Sequence, residues 1–188
     1  MYKKEIERRF LVIEKDYSKK VKFFNRKRII QGYYRFVDLK QIKSFHEIFK
    51  ENPKIRSKIV RIRVENKKEI FFTVKKGEGI KRDEFEIKLD FDEKIYNFIK
   101  NDKKALSKIR GEFFLGGFKA ILDRYTRRYR GLEIVEIEFK TEDEAKKFRP
   151  SKILSEITNV YELSNMNLYF KDEKEITKKV EEIYGYKN

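Results

Sequence analysis

The chain has 188 residues, which is enough for one sizeable hydrophobic core, and we expect a single domain over residues 1–188. Its 48 Lys and Arg residues outnumber its 32 Asp and Glu residues, and the net charge of +16 favours a polyanionic partner such as a phosphate chain, a nucleotide or nucleic acid. The absence of cysteine excludes disulfides and thiolate metal sites. Without a signal peptide or an apolar run near the ~18 residues of a membrane span, the sequence predicts a cytoplasmic protein.

Alternating apolar and charged residues predict that most of the chain is β-structure. Runs typical of half-buried strands occupy residues 3–13, 28–37, 58–65, 69–76, 82–89, 119–129 and 131–140. A turn is predicted at residues 76–79, where two glycines lie close together. Residues 102–118 stay ambiguous, because three glycines interrupt the pattern.

Helices are predicted between these strands and after them. Apolar residues at helical spacing favour a helix over residues 39–52, inside an insert at residues 38–57, and a closing helix in the C-terminal segment 172–188. Shorter helices are expected after the candidate caps Asp90 or Asp92 and Thr141.

The first strand carries an unusual set of charges. Strand alternation places Glu5, Glu7 and Arg9 on one face. Carboxylates that close repel each other unless a cation lies between them, and paired carboxylates suit hard cations such as Mg²⁺ or Mn²⁺. For one such pair alone, the charged outer face of an edge strand is the simpler interpretation.

The pattern recurs along the chain. Pairs of charged or polar residues alternate with apolar ones at Arg61 and Arg63, Thr73 and Lys75, Glu84 and Glu86, Glu136 and Glu138, and, if that run stays extended, Arg124 and Arg128. If the apolar faces pack on the rest of the protein, the charged faces need water or a polyanion with metal. A barrel or tunnel with a polar interior satisfies both demands. We therefore predict an α+β fold: an antiparallel β-barrel or tunnel of about eight strands with peripheral helices.

These segments also match a known family in order. Residues 5–12, EIERRFLV, resemble the ExExK signature of the CYTH, or triphosphate tunnel metalloenzyme, superfamily, whose bacterial branch typically reads EIERKFLV. Further segments resemble the same branch: QGYY at 31–34, VRIR at 60–63, FTVK at 72–75, RDEFE at 82–86, GLEIVEIEF at 131–139 and EIT at 156–158. Each match is weak alone, but together they span roughly residues 3–170.

The resemblance implies an eight-stranded tunnel in which basic side chains clamp a triphosphate and acidic side chains hold Mg²⁺ or Mn²⁺. The implied phosphate ligands are Arg9, Arg61, Arg63 and Lys75, with Arg124 and Arg128 as further members. The implied metal ligands are Glu5, Glu7, Glu136 and Glu138, while Glu84 and Glu86 would bind metal or order the basic residues. The implied catalytic set is Glu5, Glu7, Arg9 and Glu138.

Two departures from the family's pattern limit what is carried over. The lysine of the signature is Arg9 here, which can grip phosphate but cannot act as a general base. The family usually places a K-x-R pair, and then a strand with a metal-binding Asp, before the segment at 131–139. Here residues 123–130 run almost directly into Gly131, so we expect that strand to be missing and the tunnel to be shortened or open on one side.

The leading hypothesis is a metal-dependent hydrolase of triphosphate-bearing substrates, either inorganic tripolyphosphate or a nucleoside triphosphate. Three alternatives stay open: an RNA 5′-triphosphatase, a class IV-type adenylate cyclase, and a non-catalytic module that binds a nucleotide or polyphosphate. An RNA 5′ end and a second copy of the chain stay open as partners, and no membrane partner is expected.

Overall fold

Nine antiparallel strands form the sheet in the described part of the chain. The computed structural model describes residues 3–40, 42–55, 57–76 and 81–185. The strands are β1 (Lys3–Val12), β2 (Asn25–Arg35), β3 (Ile59–Glu65), β4 (Glu69–Lys76), β5 (Lys81–Asp90), β6 (Leu106–Leu115), β7 (Phe118–Tyr125), β8 (Glu133–Glu138) and β9 (Leu154–Glu156). Their order is β5-β4-β3-β2-β6-β7-β8-β1-β9, and β5 also pairs with the N-terminal half of β1. The pairings therefore lead from β1 through seven other strands and back to β1, and the antiparallel, tunnel-like fold is confirmed.

The expectation of a missing strand is wrong, because the ambiguous segment contains β6. Gly116 and Gly117 form the tight turn of the β6–β7 hairpin, where both have positive φ (57° and 85°). Gly111 lies inside β6, and a Cβ there would come within 2.3 Å of the Phe23 ring, so the glycine makes room for that ring.

Seven α-helices lie among the described residues: α1 (Tyr17–Lys20), α2 (Phe36–Leu39), α3 (Lys43–Glu51), α4 (Glu93–Asn101), α5 (Glu142–Lys147), α6 (Asn165–Phe170) and α7 (Glu173–Gly185). Two predicted caps are confirmed, because the Asp92 side chain accepts a hydrogen bond from Ile95 N and the Thr141 side chain accepts one from Glu144 N. The predicted helix over 39–52 is divided between α2 and α3. Most of the turn predicted at 76–79 lies outside the described residues. None of the described helices is long and apolar enough to cross a membrane.

The apolar faces of the strands point outward and are covered by helices. The outer faces of β3, β4 and β5 pack against α3 and α4 in one hydrophobic cluster, and those of β1, β6, β7 and β8 pack around α5 in a second. A third cluster lies on the inward faces at one end of the tunnel, where Leu11 and Tyr125 pack with Leu168 around α6 and α7. Because side chains alternate across a strand, the charged positions of the same strands point into the tunnel.

We expect Phe45→Ala to destabilise the fold strongly. Phe45 is 1% exposed and its ring packs against those of Phe49, Phe72 and Phe98. Removing a buried aromatic ring leaves a cavity and costs about 3–5 kcal/mol in the free energy of unfolding. Urea denaturation measures this cost, and Val37→Ala, at a side chain 49% exposed, is the control that should change little. Equal losses for the two variants would contradict the packing of α3 on the sheet.

Candidate functional site

Two opposed carboxylates lie where β1 and β8 pair. The register places Glu7 directly opposite Glu138 and Arg9 directly opposite Glu136. Directly opposite residues have Cβ atoms about 4.5–5.5 Å apart, and like charges in such positions destabilise a sheet. Glu5 is the next residue on the same face of β1, and its side chain lies outside the described part of the structure. This stretch therefore places negative charges in fixed proximity, an arrangement that a cation would stabilise.

Arg9 is held in the tunnel wall from two directions. Its Nε donates to Glu136 Oε1 at 3.3 Å, and its Nη2 donates to the Leu163 carbonyl oxygen at 2.7 Å. The residue is only 4% exposed. The guanidinium is thus fixed in place before any ligand arrives.

A second group of charges lies on β3, β4 and β5. Arg61 Nη2 donates to Thr73 Oγ1 at 3.0 Å and to Glu84 and Glu86 at 3.2 Å each. Arg63 Nη2 donates to Glu86 Oε1 at 3.3 Å. Burial lowers the pKa of both guanidiniums, but the surrounding groups, including the two carboxylates, raise that of Arg61 by more. In this structure, Glu84 and Glu86 therefore order the arginine pair.

The arginine pair keeps hydrogen-bonding capacity for a ligand. Arg61 Nε is buried and has no hydrogen-bond acceptor among the described residues. A buried donor left in this state costs about 1–3 kcal/mol. An oxyanion that entered the tunnel could accept this bond and remove the cost.

A third group, on β6 and β7, was missed at the sequence level. Arg110 donates twice to Asp123, from Nε and from Nη2, each at 2.7 Å, and Lys108 Nζ donates to the same carboxylate at 2.6 Å. Arg110 Nη2 also donates to Glu136 at 3.3 Å, which joins this group to Arg9. Lys108 and Arg110 alternate on β6, and Asp123 follows on β7. The alternating basic residues of KIR at 108–110, together with Asp123 in the next predicted strand, could have indicated this charged group from the sequence.

Burial and pairing act against each other in this third group. Burial lowers the pKa of Lys108 to about 8, although Asp123 raises it. Burial also raises the pKa of Asp123, but Arg110 and Lys108 together bring it well below its ordinary range. Of these two basic groups, Arg110 lowers the pKa of Asp123 more.

Two of the predicted phosphate ligands, Arg124 and Arg128, do not join these groups in the described structure. Arg124 lies on the opposite face of β7 from Asp123. The run 119–129 does not stay extended, because β7 ends at Tyr125, and Arg128 instead donates to the carbonyl oxygens of Leu168, Tyr169 and Lys171. The structure therefore does not bring Arg124 and Arg128 together with the charged groups of the tunnel. The backbone of Lys75 lies opposite Glu84 in the sheet, and its side chain lies outside the described part of the structure.

A cavity of about 880 Å³ lies apart from the three groups. It is bounded by the end of β1, the turn after β7 and the face of α7 that carries Ile176 and Val180, and Arg128 lines it. None of the paired charges inside the tunnel borders it, so the cavity and the charged site are separate features.

Segment 161–170 fills one end of the tunnel. Lys108 Nζ donates to Asn165 Oδ1 at 3.0 Å, and the Tyr125 hydroxyl donates to the same oxygen at 2.7 Å. With the bond from Arg9 to Leu163, these contacts fasten the segment to the innermost charges. The charged groups are therefore reached from the other end.

The donor chemistry fits a hard divalent cation, although no complete ligand set is formed by the described side chains. Glu7 and Glu138 offer carboxylate oxygens from adjacent strands, which suit Mg²⁺ or Mn²⁺. No group of three or more Asp, Glu or His side chains placed to hold a metal occurs among the described residues. Glu136 is bonded to Arg9 and Arg110, so its contacts are those of an ion-pair partner.

Comparisons with known proteins bear on the fold. No family model and no curated protein matches the chain. The crystal structure of the inorganic triphosphatase NE1496 is similar over 89% of this chain and 95% of that chain, with 22% identity and a TM-score of 0.58. A second structure of NE1496 has the same identity and TM-score and is covered over 99% of its length. The putative adenylyl cyclase HpAC1 from Hippeastrum matches over 76% of this chain and 82% of its own, with 10% identity and a TM-score of 0.45. The likeness to NE1496 shows a shared fold.

We expect the contribution of Lys108 to stability to rise with pH. Its pKa is about 8 in the folded chain and about 10.4 when unfolded. Between these values the unfolded chain binds more protons, so the free energy of unfolding increases with pH through this window. Lys108→Met keeps the shape and removes the titration. Urea denaturation at about pH 7.5 and 9.5 should show the wild type gaining on the variant at the higher pH. A constant difference between the two proteins would contradict the lowered pKa.

Proposed function

We propose that this chain is a divalent-metal-dependent hydrolase that releases the terminal phosphate from inorganic tripolyphosphate or a nucleoside triphosphate. One observation carries the proposal: basic side chains of β1, β3 and β6 converge with carboxylates inside one tunnel. Guanidinium groups match phosphate oxygens in geometry and charge, and a chain of phosphates needs several such groups along its length. The shared fold with NE1496, an inorganic triphosphatase, supports the same reaction class.

The charge balance of the tunnel supports the metal requirement. Among the inward-facing described side chains, the basic ones include Arg9, Lys27, Arg61, Arg63, Lys108 and Arg110 and the acidic ones include Glu7, Glu65, Glu84, Glu86, Asp123, Glu136 and Glu138. Two further ion pairs on the same faces join Lys119 to Glu112 and Lys88 to Glu69. Carboxylates match the basic groups nearly one for one, so a bare triphosphate meets about as much repulsion as attraction. Divalent cations held by Glu7 and Glu138, with Glu5 beside them, would change this balance. When bound, Mg²⁺ or Mn²⁺ supplies Lewis-acid polarisation of a phosphoryl oxygen and lowers the pKa of a bound water.

The protein's own groups would bind and orient the phosphates. Arg61 would offer its buried Nε, and Arg110 and Arg9 would face the phosphates from the opposite wall. Lys108 counts as a cation at neutral pH, because its pKa of about 8 lies above that pH. Arg9 would act only by charge and hydrogen bonding, since an arginine does not give up its proton in proteins.

The proposal is tested by assaying phosphate release with Mg²⁺ or Mn²⁺ from tripolyphosphate, ATP and thiamine triphosphate. We expect release that stops when the metal is chelated and that is abolished or nearly so in Glu7→Gln, which keeps the shape but not the charge. Formation of cyclic AMP and pyrophosphate from ATP would replace the proposal with a cyclase. Metal-dependent binding without any product would replace it with a binding module.

We expect Arg61→Ala to lower kcat/KM by about 10- to 100-fold, because bonds to a charged group are worth about 1.5–3 kcal/mol each. Arg124→Ala is the matched control, since that arginine lies on the outward face of β7, and it should leave kcat/KM unchanged. Circular dichroism confirms that both variants are folded. A similar loss in the two variants would show that the distinction between inward and outward arginines is wrong.

A further inference from the structure

Exposure rises steadily along the inward face of β6. The side chain of Lys108 is fully buried, those of Arg110 and Glu112 are 16% and 17% exposed, and Phe114 is 70% exposed. These four residues alternate along one strand, so they share a face. Phe114 therefore stands at the open rim of the same surface that carries Lys108 and Arg110 at depth.

Phe114 is joined at the rim by a second exposed aromatic residue. The rings of Phe24 and Phe114 lie 5.2 Å apart with their planes inclined by 33°, and Phe24 is 54% exposed. Phe24 N donates to the Glu112 carbonyl oxygen at 3.0 Å, which fixes the start of β2 against β6. Neither ring belongs to any of the three hydrophobic clusters. Two large apolar rings are therefore held in place and left open to solvent, as in a binding surface.

Basic side chains lie near the two rings. Lys22 lies two residues before Phe24, and Lys119, the register partner of Phe114 on β7, forms an ion pair with Glu112 at 2.8 Å. Aromatic faces beside basic groups are suited to the bases of nucleotides, which stack on such rings without regard to base type. Four residue steps of about 3.3 Å separate Arg110 from Phe114 along the strand, and this distance of about 13 Å separates a base on the rim from phosphates at the arginines.

We propose that Phe114 and Phe24 form a stacking platform for the base of a nucleoside triphosphate whose phosphates lie among Arg110, Arg61 and Arg9. The inference rests on the proposed function and narrows its substrate class from triphosphates in general to nucleoside triphosphates. The platform contributes to binding and not to the chemical step, because it contacts the part of the substrate that does not react.

The test compares a substrate that has a base with one that lacks it. For Phe114→Ala we expect KM for ATP to rise about tenfold, within the range that base stacking contributes, while kcat stays the same. KM for tripolyphosphate should not change. Phe114→Leu keeps an apolar side chain without a ring face and should behave like Phe114→Ala. Phe170→Ala, at a residue 43% exposed on α6, is the matched control and should leave KM unchanged for both substrates.

The outcomes separate this inference from the proposed function. An unchanged KM for ATP, or equal changes for ATP and tripolyphosphate, overturns the platform while hydrolysis itself stands. If the wild type releases no phosphate, the proposed function fails. Titration calorimetry with Mg²⁺ and either ATP or tripolyphosphate then measures whether Phe114 contributes to binding of the base. Selective weakening of ATP binding in Phe114→Ala supports the platform, whereas unchanged binding, or no ATP binding by the wild type, overturns it.

Two other occupants of the rim would be recognised in the same experiments. If the rings joined two copies of the chain, sedimentation would show a concentration-dependent dimer that Phe114→Ala abolishes, with no effect on ATP. If the rim bound RNA, Phe114→Ala would weaken binding of a triphosphorylated oligonucleotide but not of ATP. Either result would overturn the nucleoside triphosphate assignment.

Discussion

The pairing of charges that face inward is the constraint on which the rest of this structure depends. A charge removed from water costs several kcal/mol unless it is paired and hydrogen-bonded, and the tunnel satisfies this demand across strands. Asp123 receives both Arg110 and Lys108, and Glu86 receives both Arg61 and Arg63. Because the charged face of each strand is committed to the interior, its apolar face must point outward. The helices α3, α4 and α5 lie outside the sheet because that is where apolar surface needs cover.

The same pairing gives the tunnel its chemical character. Each of the basic groups described at depth in the tunnel is already bonded to a carboxylate, so their positions are fixed before a ligand binds and little side-chain entropy remains to be lost. The cost of this order is a lumen with little net positive charge. The net charge of +16 is therefore carried mainly by the outer surface, where it raises the local concentration of anions without fixing them. Binding in the lumen would depend on cations that accompany the phosphates.

The sequence predicted the walls of the tunnel better than its ends and turns. Alternation alone identified the inward pairs on β1, β3, β5 and β8, because a period of two residues is visible without any knowledge of neighbours. It did not identify Lys108 and Arg110, since the glycines at 111, 116 and 117 look like breaks in the chain. One of them accommodates a ring and the other two form a turn, which only packing and backbone angles reveal. Arg128 was misplaced for the opposite reason: its spacing fits a strand, but the strand has already ended.

Segment 161–170 gives the tunnel a direction that strand alternation cannot supply. It fills one end through bonds from Arg9, Lys108 and Tyr125, so the paired charges are approached from the end where β6 reaches the rim. A triphosphate that entered from this side would place its terminal phosphate deepest, beside Arg110, and leave any attached group outside. The reacting phosphate would then lie where side chains are most buried and electrostatic interactions are strongest. Selectivity for the attached group would be confined to the rim, where residues can vary without disturbing the buried ion pairs.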